Sequence, residues 1–210
     1  MGRSGCHPAL NLMRLEYIFP VIGYLLGSIP FGFLLVKRTQ GTDIRASGSG
    51  SIGATNVFRK SRIGGLVTLV LDGGKGYLAV VIVRWLGGDL TWQGVAAVAA
   101  ILGHIFPVWL RFKGGKGAAV GCGAFFAISP LSACTTLAVF VLTAAFTRYV
   151  SLASILGTAT FPLWAWLQHQ PPPAIFWAVI GAAFIVAKHH ENIRRLLTGT
   201  EHKLEFGRRS

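Results

Sequence analysis

Apolar residues along this chain fall in long unbroken runs, with little of the alternation that marks a soluble helix or strand. YIFPVIGYLLGSIPFGFLLV (17–36) and PPAIFWAVIGAAFIVA (172–187) are apolar on every side. Runs of this length read as membrane-spanning helices, which satisfy their own backbone hydrogen bonds in lipid. They predict spans at 17–36, 63–86, 92–110, 118–129, 131–147, 150–167 and 173–187, seven in all. At about 1.5 Å of rise per residue the fourth is too short to cross fully. It is expected to stop part-way or pack inside the bundle, with Pro130 breaking the chain before the fifth. QHQPPP (168–173) reads as a compact turn, and no internal repeat or long linker interrupts the pattern. The expected fold is all-α, one polytopic membrane domain over residues 1–210, with 1–14 and 204–210 as mobile tails.

Composition agrees: 52% of the 210 residues are hydrophobic and 13% charged, with a mean hydropathy of +0.57. Charge adds an orientation. If the chain starts outside, the basic clusters at 37–62, 111–116, 148 and 188–195 share one side, and the opposite loops are nearly free of lysine and arginine. The positive-inside rule makes that shared side cytoplasmic; six or eight helices would strand one cluster on the wrong side. The net charge of +13 is thus mostly topology, and no nucleic-acid partner is expected. Lys37, Arg38, Arg208 and Arg209 are read as contacts to anionic headgroups of membrane lipid.

Cys6, Cys122 and Cys134 lack metal-ligand spacing and are expected to stay unbridged. His189 and His190 are adjacent on a helix and diverge, so no metal is expected, nor any other cofactor. The start MGRSGC lacks the hydroxyl residue that myristoylation wants at the sixth position, and no cleavage site follows the first apolar run. That run is expected to remain as an uncleaved helix; a true start at Met13 is left open.

Three basic stretches remain on the expected cytoplasmic side: GTDIRASGSGSIGATNVFRKSRIG (41–64), RFKGGKGAAVG (111–121) and KHHENIRRLLTGTEHK (188–203). Glycine lets backbone amides approach an anion, and arginine grips phosphate through a planar fork. In the first stretch Ser47, Ser49, Ser51 and Thr55 offer hydroxyls, Gly48, Gly50 and Gly53 free the backbone, Arg45 and Arg59 bring charge, and Asn56 stands beside them. In the second, Gly114, Gly115, Lys116 and Gly117 precede a helix whose amides and dipole favour an anion. This is not a P-loop, since Ala118 stands where the hydroxyl is needed. In the third, His189 and Asn192 share a face, and Glu191 is expected to order neighbouring arginines. Asp72 and Lys75 lie three apart inside the second span, as a structural ion pair or as ligands. His104 either braces the glycine loop by a hydrogen bond or caps a polar pocket.

Taken together, GSGSIGATNVFR, LGHIFPVWLRFKGGKGAA and HHENIRRLLTGTEHK resemble, in order and spacing, the bacterial acyl-phosphate-dependent glycerol-3-phosphate acyltransferases, the PlsY family; YLLGSIPFG and LDGGKG support the match. The resemblance covers roughly residues 26–203. It implies seven spans and transfer of a fatty acyl group from acyl phosphate to the 1-hydroxyl of glycerol 3-phosphate at the cytoplasmic surface, giving lysophosphatidic acid and phosphate. It also implies functional coupling to an acyl-phosphate-producing enzyme. Carried over, Ser49, Arg59, Lys116, His189 and Asn192 form the polar centre, and Gly114 and Gly115 donate amides to the acyl phosphate. Arg59 and Lys116 take phosphate charge, Ser49 and Asn192 orient by hydrogen bonds, and His189 faces the attacking hydroxyl or a phosphate oxygen. The family usually has asparagine where this chain has Ser51, so a contact through that amide does not carry over.

An acyl phosphate is a mixed anhydride with a good leaving group, so positioning and charge stabilisation suffice without a strong enzyme nucleophile. Either His189 or a substrate phosphate is left as acceptor of the hydroxyl proton. A covalent serine intermediate is disfavoured, because no carboxylate is evident to orient the histidine. Two other classes compete. A transporter for a small phosphorylated or anionic solute needs polar residues through the membrane depth, and a lipid-binding scaffold leaves Ser49, His189 and Asn192 without a role.

Overall fold

In a computed structural model, residues 16–204 are described; Cys6, Arg208, Arg209, Met13 and the tails expected at 1–14 and 204–210, residue 204 excepted, lie outside them. The regular elements of the described residues are all helices: α1 (Phe19–Ser28), α2 (Phe31–Gln40), α3 (Ala54–Lys60), α4 (Arg62–Trp85), α5 (Leu90–Ile105), α6 (Ala118–Ile128), α7 (Pro130–Thr147), α8 (Val150–Leu167), α9 (Pro172–Lys188) and α10 (His190–Leu197). Five segments are long and apolar enough to cross a membrane: Phe19–Gln40, Arg62–Trp85, Leu90–Leu110, Pro130–Thr147 and Val150–Leu167. The pair α9 and α10, bent by 58° at His189, makes a sixth if counted as one span, and α6 is a shorter apolar helix.

Three features differ from the hydropathy reading. The first run is broken, because Pro30 supplies no amide and pushes Ile29 into an extended conformation (φ −61°, ψ 115°). The break exposes the Ile29 carbonyl, which accepts a hydrogen bond from the buried Lys75 Nζ at 2.7 Å. The first basic stretch is not all loop: it contains α3 and a 3-10 turn at Ile44–Ala46. Residue 204, expected to begin a tail, is tethered by its amide to the Arg148 carbonyl at 2.7 Å.

Helix starts follow local chemistry. Ser61 Oγ accepts from the Gly64 amide at the head of α4, Asp89 from Trp92 N at the head of α5, and Pro130 occupies the first turn of α7. Small residues allow close contact between helices: Gly23 and Gly27 of α1 lie against Ala96 and Ala100 of α5, and Gly76 of α4 lies against Val120 of α6. The core gathers Ala97 and Ile101 of α5, Val120 and Phe125 of α6, Phe161 of α8, and Ala178 and Ile185 of α9. Large apolar side chains point the other way as well. Ile63, Val70 and Phe146 are 77, 71 and 85% exposed, which fits a perimeter solvated by lipid and not by water. Cys122 and Cys134 are free and exposed.

Candidate active site

Residues from all three basic stretches meet at one cavity of about 250 Å³, lined by Ser49, Arg59, Lys116, His189 and Asn192. Ser51, Gly53, Thr55, Asn56, Asp72, His104 and Gly117 also reach it; Gly48, Gly50, Gly114, Gly115, Lys75 and Glu191 do not. The cavity continues along α8 from Ser151 to Phe161, about 15 Å at 1.5 Å per residue. There Phe125, Phe140, Phe161 and Ala178 make the lining largely apolar. One end is cationic and hydrogen-bonding, and the other is greasy.

The first stretch is organised by one buried amide. Asn56 Oδ1 accepts from the Ser49 amide at 3.1 Å, while Nδ2 reaches the carbonyls of Ile44 (3.2 Å), Ser47 (3.0 Å) and Ser51 (2.8 Å). Asn56, read in the sequence as standing beside the anion-binding groups, is therefore occupied in shaping the loop. Gly48 and Gly50 take positive φ values of 58° and 67°, and a Cβ on Gly48 would strike Asn56 Oδ1. Ser51 Oγ accepts from the Gly53 amide at 3.2 Å. Arg45, expected to grip phosphate, is held by Asp43 at 2.7 Å and reaches the Leu110 carbonyl at 3.4 Å. That guanidinium keeps the Asp43 carboxyl below its usual range. Arg59 remains at the exposed end of α3 with its charge toward the cavity.

The second stretch corrects another expectation. The amides of Gly114 and Gly115 do not face a ligand, because they donate to the carbonyls of Ile105 (3.2 Å) and His104 (3.0 Å). The glycines make room instead: a Cβ on Gly114 would overlap the His104 carbonyl, and one on Gly115 would overlap His104 Nε2. Gly117, at φ 86°, turns the chain into α6. Lys116 is half-buried beside the cavity, and its pKa falls to about 8, first through burial and then through the Arg195 charge.

In the third stretch the bend at His189 turns His189 and Asn192 inward, and both are 3% exposed. His189 Nδ1 donates to the Ile185 carbonyl at 2.7 Å, so in the neutral ring Nε2 is the acceptor. Asn192 Nδ2 donates to Glu201 Oε1 at 2.8 Å, and its Oδ1 is buried without a hydrogen-bond partner. Glu201 was not foreseen. Its carboxylate also accepts from Ser151 Oγ (2.9 Å) and pairs with Arg195 (2.6 Å). Burial alone would raise its pKa, but the hydrogen bonds from Arg195, Asn192 and Ser151 hold it lower. Glu201, and not the exposed Glu191, is thus the carboxylate that orders Arg195. With seven acidic residues against twenty basic ones, each carboxylate within a basic stretch is a candidate partner, and that signal would have found it.

Of the two readings for Asp72 and Lys75, the ion pair holds at 2.8 Å, with both side chains 2% exposed. Lys75 Nζ also lies 3.0 Å from His104 Nδ1. Among the described residues no group of three or more His, Cys, Asp or Glu could hold a metal ion.

An all-helical, multi-pass membrane protein with a cationic site opening onto an apolar slot is the class that this fold and cavity define. The chain belongs to the glycerol-3-phosphate acyltransferase family, whose model matches residues 17–199. Relatives of that name include one from Geotalea daltonii, 50% identical over 90% of this chain and 97% of its own length. Another, from Geobacter sulfurreducens, is 44% identical over 90% of this chain and 98% of its own. The crystal structure of PlsY (YgiH), an integral membrane glycerol 3-phosphate acyltransferase, is similar in its glycerol 3-phosphate form at a TM-score of 0.86 and 38% identity, covering 91% of this chain and 96% of that one. Its lysophosphatidic acid form matches at a TM-score of 0.84 and 37% identity, with the same coverage.

Proposed function

We infer that the protein acylates glycerol 3-phosphate to lysophosphatidic acid, the activity its family carries, and we propose that the acyl donor is an acyl phosphate. The observation that carries the reading is the joining of a cationic mouth to an apolar slot in one cavity. Two phosphorylated head groups need Arg59 and Lys116, and an acyl chain needs the slot between α6, α7, α8 and α9. Asn192 Oδ1, buried and unpartnered, supports a hydroxyl donor from the glycerol moiety as its partner. Ser49 orients a phosphate oxygen, with Gly53, Thr55 and Gly117 shaping the mouth. His189 presents Nε2 to the attacking hydroxyl, and a substrate phosphate is a second acceptor for its proton.

No nucleophilic residue is needed, because the anhydride already carries its leaving group. An anionic solute crossing the protein would meet Phe125, Phe140 and Phe161, which argues against a transport path. We place the chain as one domain in a bacterial inner membrane, with seven spans, its start outside and the cavity mouth toward the cytoplasm, where the basic clusters belong. An acyl-phosphate-producing enzyme on that side supplies the donor. The test is purified protein in lipid with glycerol 3-phosphate and palmitoyl phosphate. Lysophosphatidic acid and inorganic phosphate should appear in equal amounts; phosphate release without acylated glycerol would replace the reading with a hydrolase.

A further inference from the structure

The Asp72–Lys75–His104 cluster lies against the second glycine loop and has no part in the scheme above. Lys75 Nζ has three neighbours: Asp72 Oδ1 at 2.8 Å, the Ile29 carbonyl at 2.7 Å and His104 Nδ1 at 3.0 Å. The contact with Asp72 is an ion pair, and the other two are hydrogen bonds; an ammonium has donors and no acceptor, so Nδ1 must be the acceptor. Asp72 Oδ1 lies 3.7 Å from Nδ1, beyond hydrogen-bond reach, and does not compete for a proton there. The neutral ring therefore carries its proton on Nε2.

That atom is aimed at the loop. It occupies the place a Cβ on Gly115 would take, next to Lys116, and the ring, 4% exposed, lines the cavity. The neighbouring amides of Gly114 and Gly115 are already spent on backbone carbonyls. We propose that His104 donates a hydrogen bond from Nε2 to an oxygen of the bound acyl phosphate, in the tautomer fixed by the buried Asp72–Lys75 pair. His104 is then a catalytic residue, and Lys75 and Asp72 are positioning residues. Transfer moves charge from the acyl carbonyl toward the leaving phosphate, and a fixed neutral donor stabilises it without reorganising. The ion pair is kept in the membrane interior because it sets the tautomer, a role consistent with the rule that intramembrane charges are paired and functional. The proposal rests on the acyl-phosphate reading above.

Two measurements test it together. In kinetics with palmitoyl phosphate, His104→Ala should lower kcat by about 10²-fold, the size expected for one lost oxyanion donor. The KM for glycerol 3-phosphate should change by less than about twofold, and His104→Gln, which restores an N–H near Nε2, should recover most of the loss. In nitrogen-15 NMR of the wild-type protein, the His104 ring should be the Nε2–H tautomer. Its N–H proton should shift on addition of an inert acyl phosphonate but not with glycerol 3-phosphate alone. The signal is assigned by difference against His104→Gln or, should that variant not fold, against single replacements of the other histidines. A rate for His104→Ala close to wild type, an Nδ1–H or cationic ring, or a response only to glycerol 3-phosphate would each overturn the proposal. If the wild-type protein makes lysophosphatidic acid from another donor but not from acyl phosphate, the proposed function fails and this inference with it. If the wild type uses acyl phosphate and His104→Ala does too, only the inference fails.

Discussion

The two glycine-rich stretches look alike in sequence and work differently in the fold. Around Gly48–Gly53 the chain winds about one side chain, with Asn56 taking the Ser49 amide and three carbonyls. Around Gly114 and Gly115 the chain pairs backbone to backbone with the end of α5, and the missing Cβ atoms leave space for the His104 carbonyl and ring. In neither stretch do the glycines serve mainly as bare amides for a phosphate. Glycine beside an anion site marks close approach, and what approaches is as often the protein itself as a ligand.

The comparison breaks most sharply at Asn56. Asn56→Ala takes the partner from the Ser49 amide and the Ser51 carbonyl, each costing about 1–3 kcal/mol when buried, while the Ile44 and Ser47 carbonyls keep the amides of Ser47 and Gly50. A lowered midpoint of thermal unfolding and a near-complete loss of acyl transfer are expected, whereas normal melting and activity would show that the loop holds itself. Gly115→Ala comes next: the new methyl displaces the His104 ring, so transfer should drop by about 10²-fold, matching the loss of one preorganised donor. An alanine variant with wild-type kcat would mean that the ring position is immaterial.

A third, milder effect belongs to Lys116. Its pKa near 8 in the free protein lies below the ordinary lysine value because of burial, so the amine loses its charge as pH rises through 8. Bound phosphate favours the charged form, so affinity is full below that pH and is lost above it. The dissociation constant for glycerol 3-phosphate, measured by calorimetry, should weaken by about tenfold between pH 7 and 9. Lys116→Arg should flatten that rise, because guanidinium stays charged; a flat wild-type profile would contradict the shift. The smallest effect is at Arg45, whose exposed pairing with Asp43 contributes about 1 kcal/mol or less. Arg45→Ala should keep transfer within a few-fold of wild type, and a loss as deep as that of Arg59→Ala would return Arg45 to the site.

Much of this was legible in the sequence, because hydropathy runs report which residues face lipid and where charge must collect. The helices from α4 to α9 follow those runs, and the short α6 and the break at Pro130 were foreseen. The split at Ile29–Pro30 was not, since Pro30 lies inside an otherwise unbroken apolar run and only backbone geometry ends the helix there. At the site, the resemblance to the acyltransferase family pointed to Ser49, Arg59, Lys116, His189 and Asn192, which the fold brings to one cavity. The pattern could not tell which polar groups were already used. Arg45 and Arg59 look equivalent until Asp43 is seen to hold one of them. Glu201 was hidden for the same reason: the pattern within 188–203 does not tell which of Glu191 and Glu201 takes Asn192 and Arg195, and Ser151 joins from a distant helix.

The central claim, that three separate segments build one anion-gripping pocket, is tested most directly by removing one side chain from each. Arg59→Ala, Lys116→Ala and Asn192→Ala, purified in lipid and assayed for lysophosphatidic acid from glycerol 3-phosphate and palmitoyl phosphate, should each lose about 10²-fold or more in kcat/KM, with melting temperatures near wild type for the first two and a modest drop for Asn192→Ala, which takes a donor from the buried Glu201. Wild-type kcat/KM in any one of the three, with the fold intact, would remove that segment from the pocket and contradict the account.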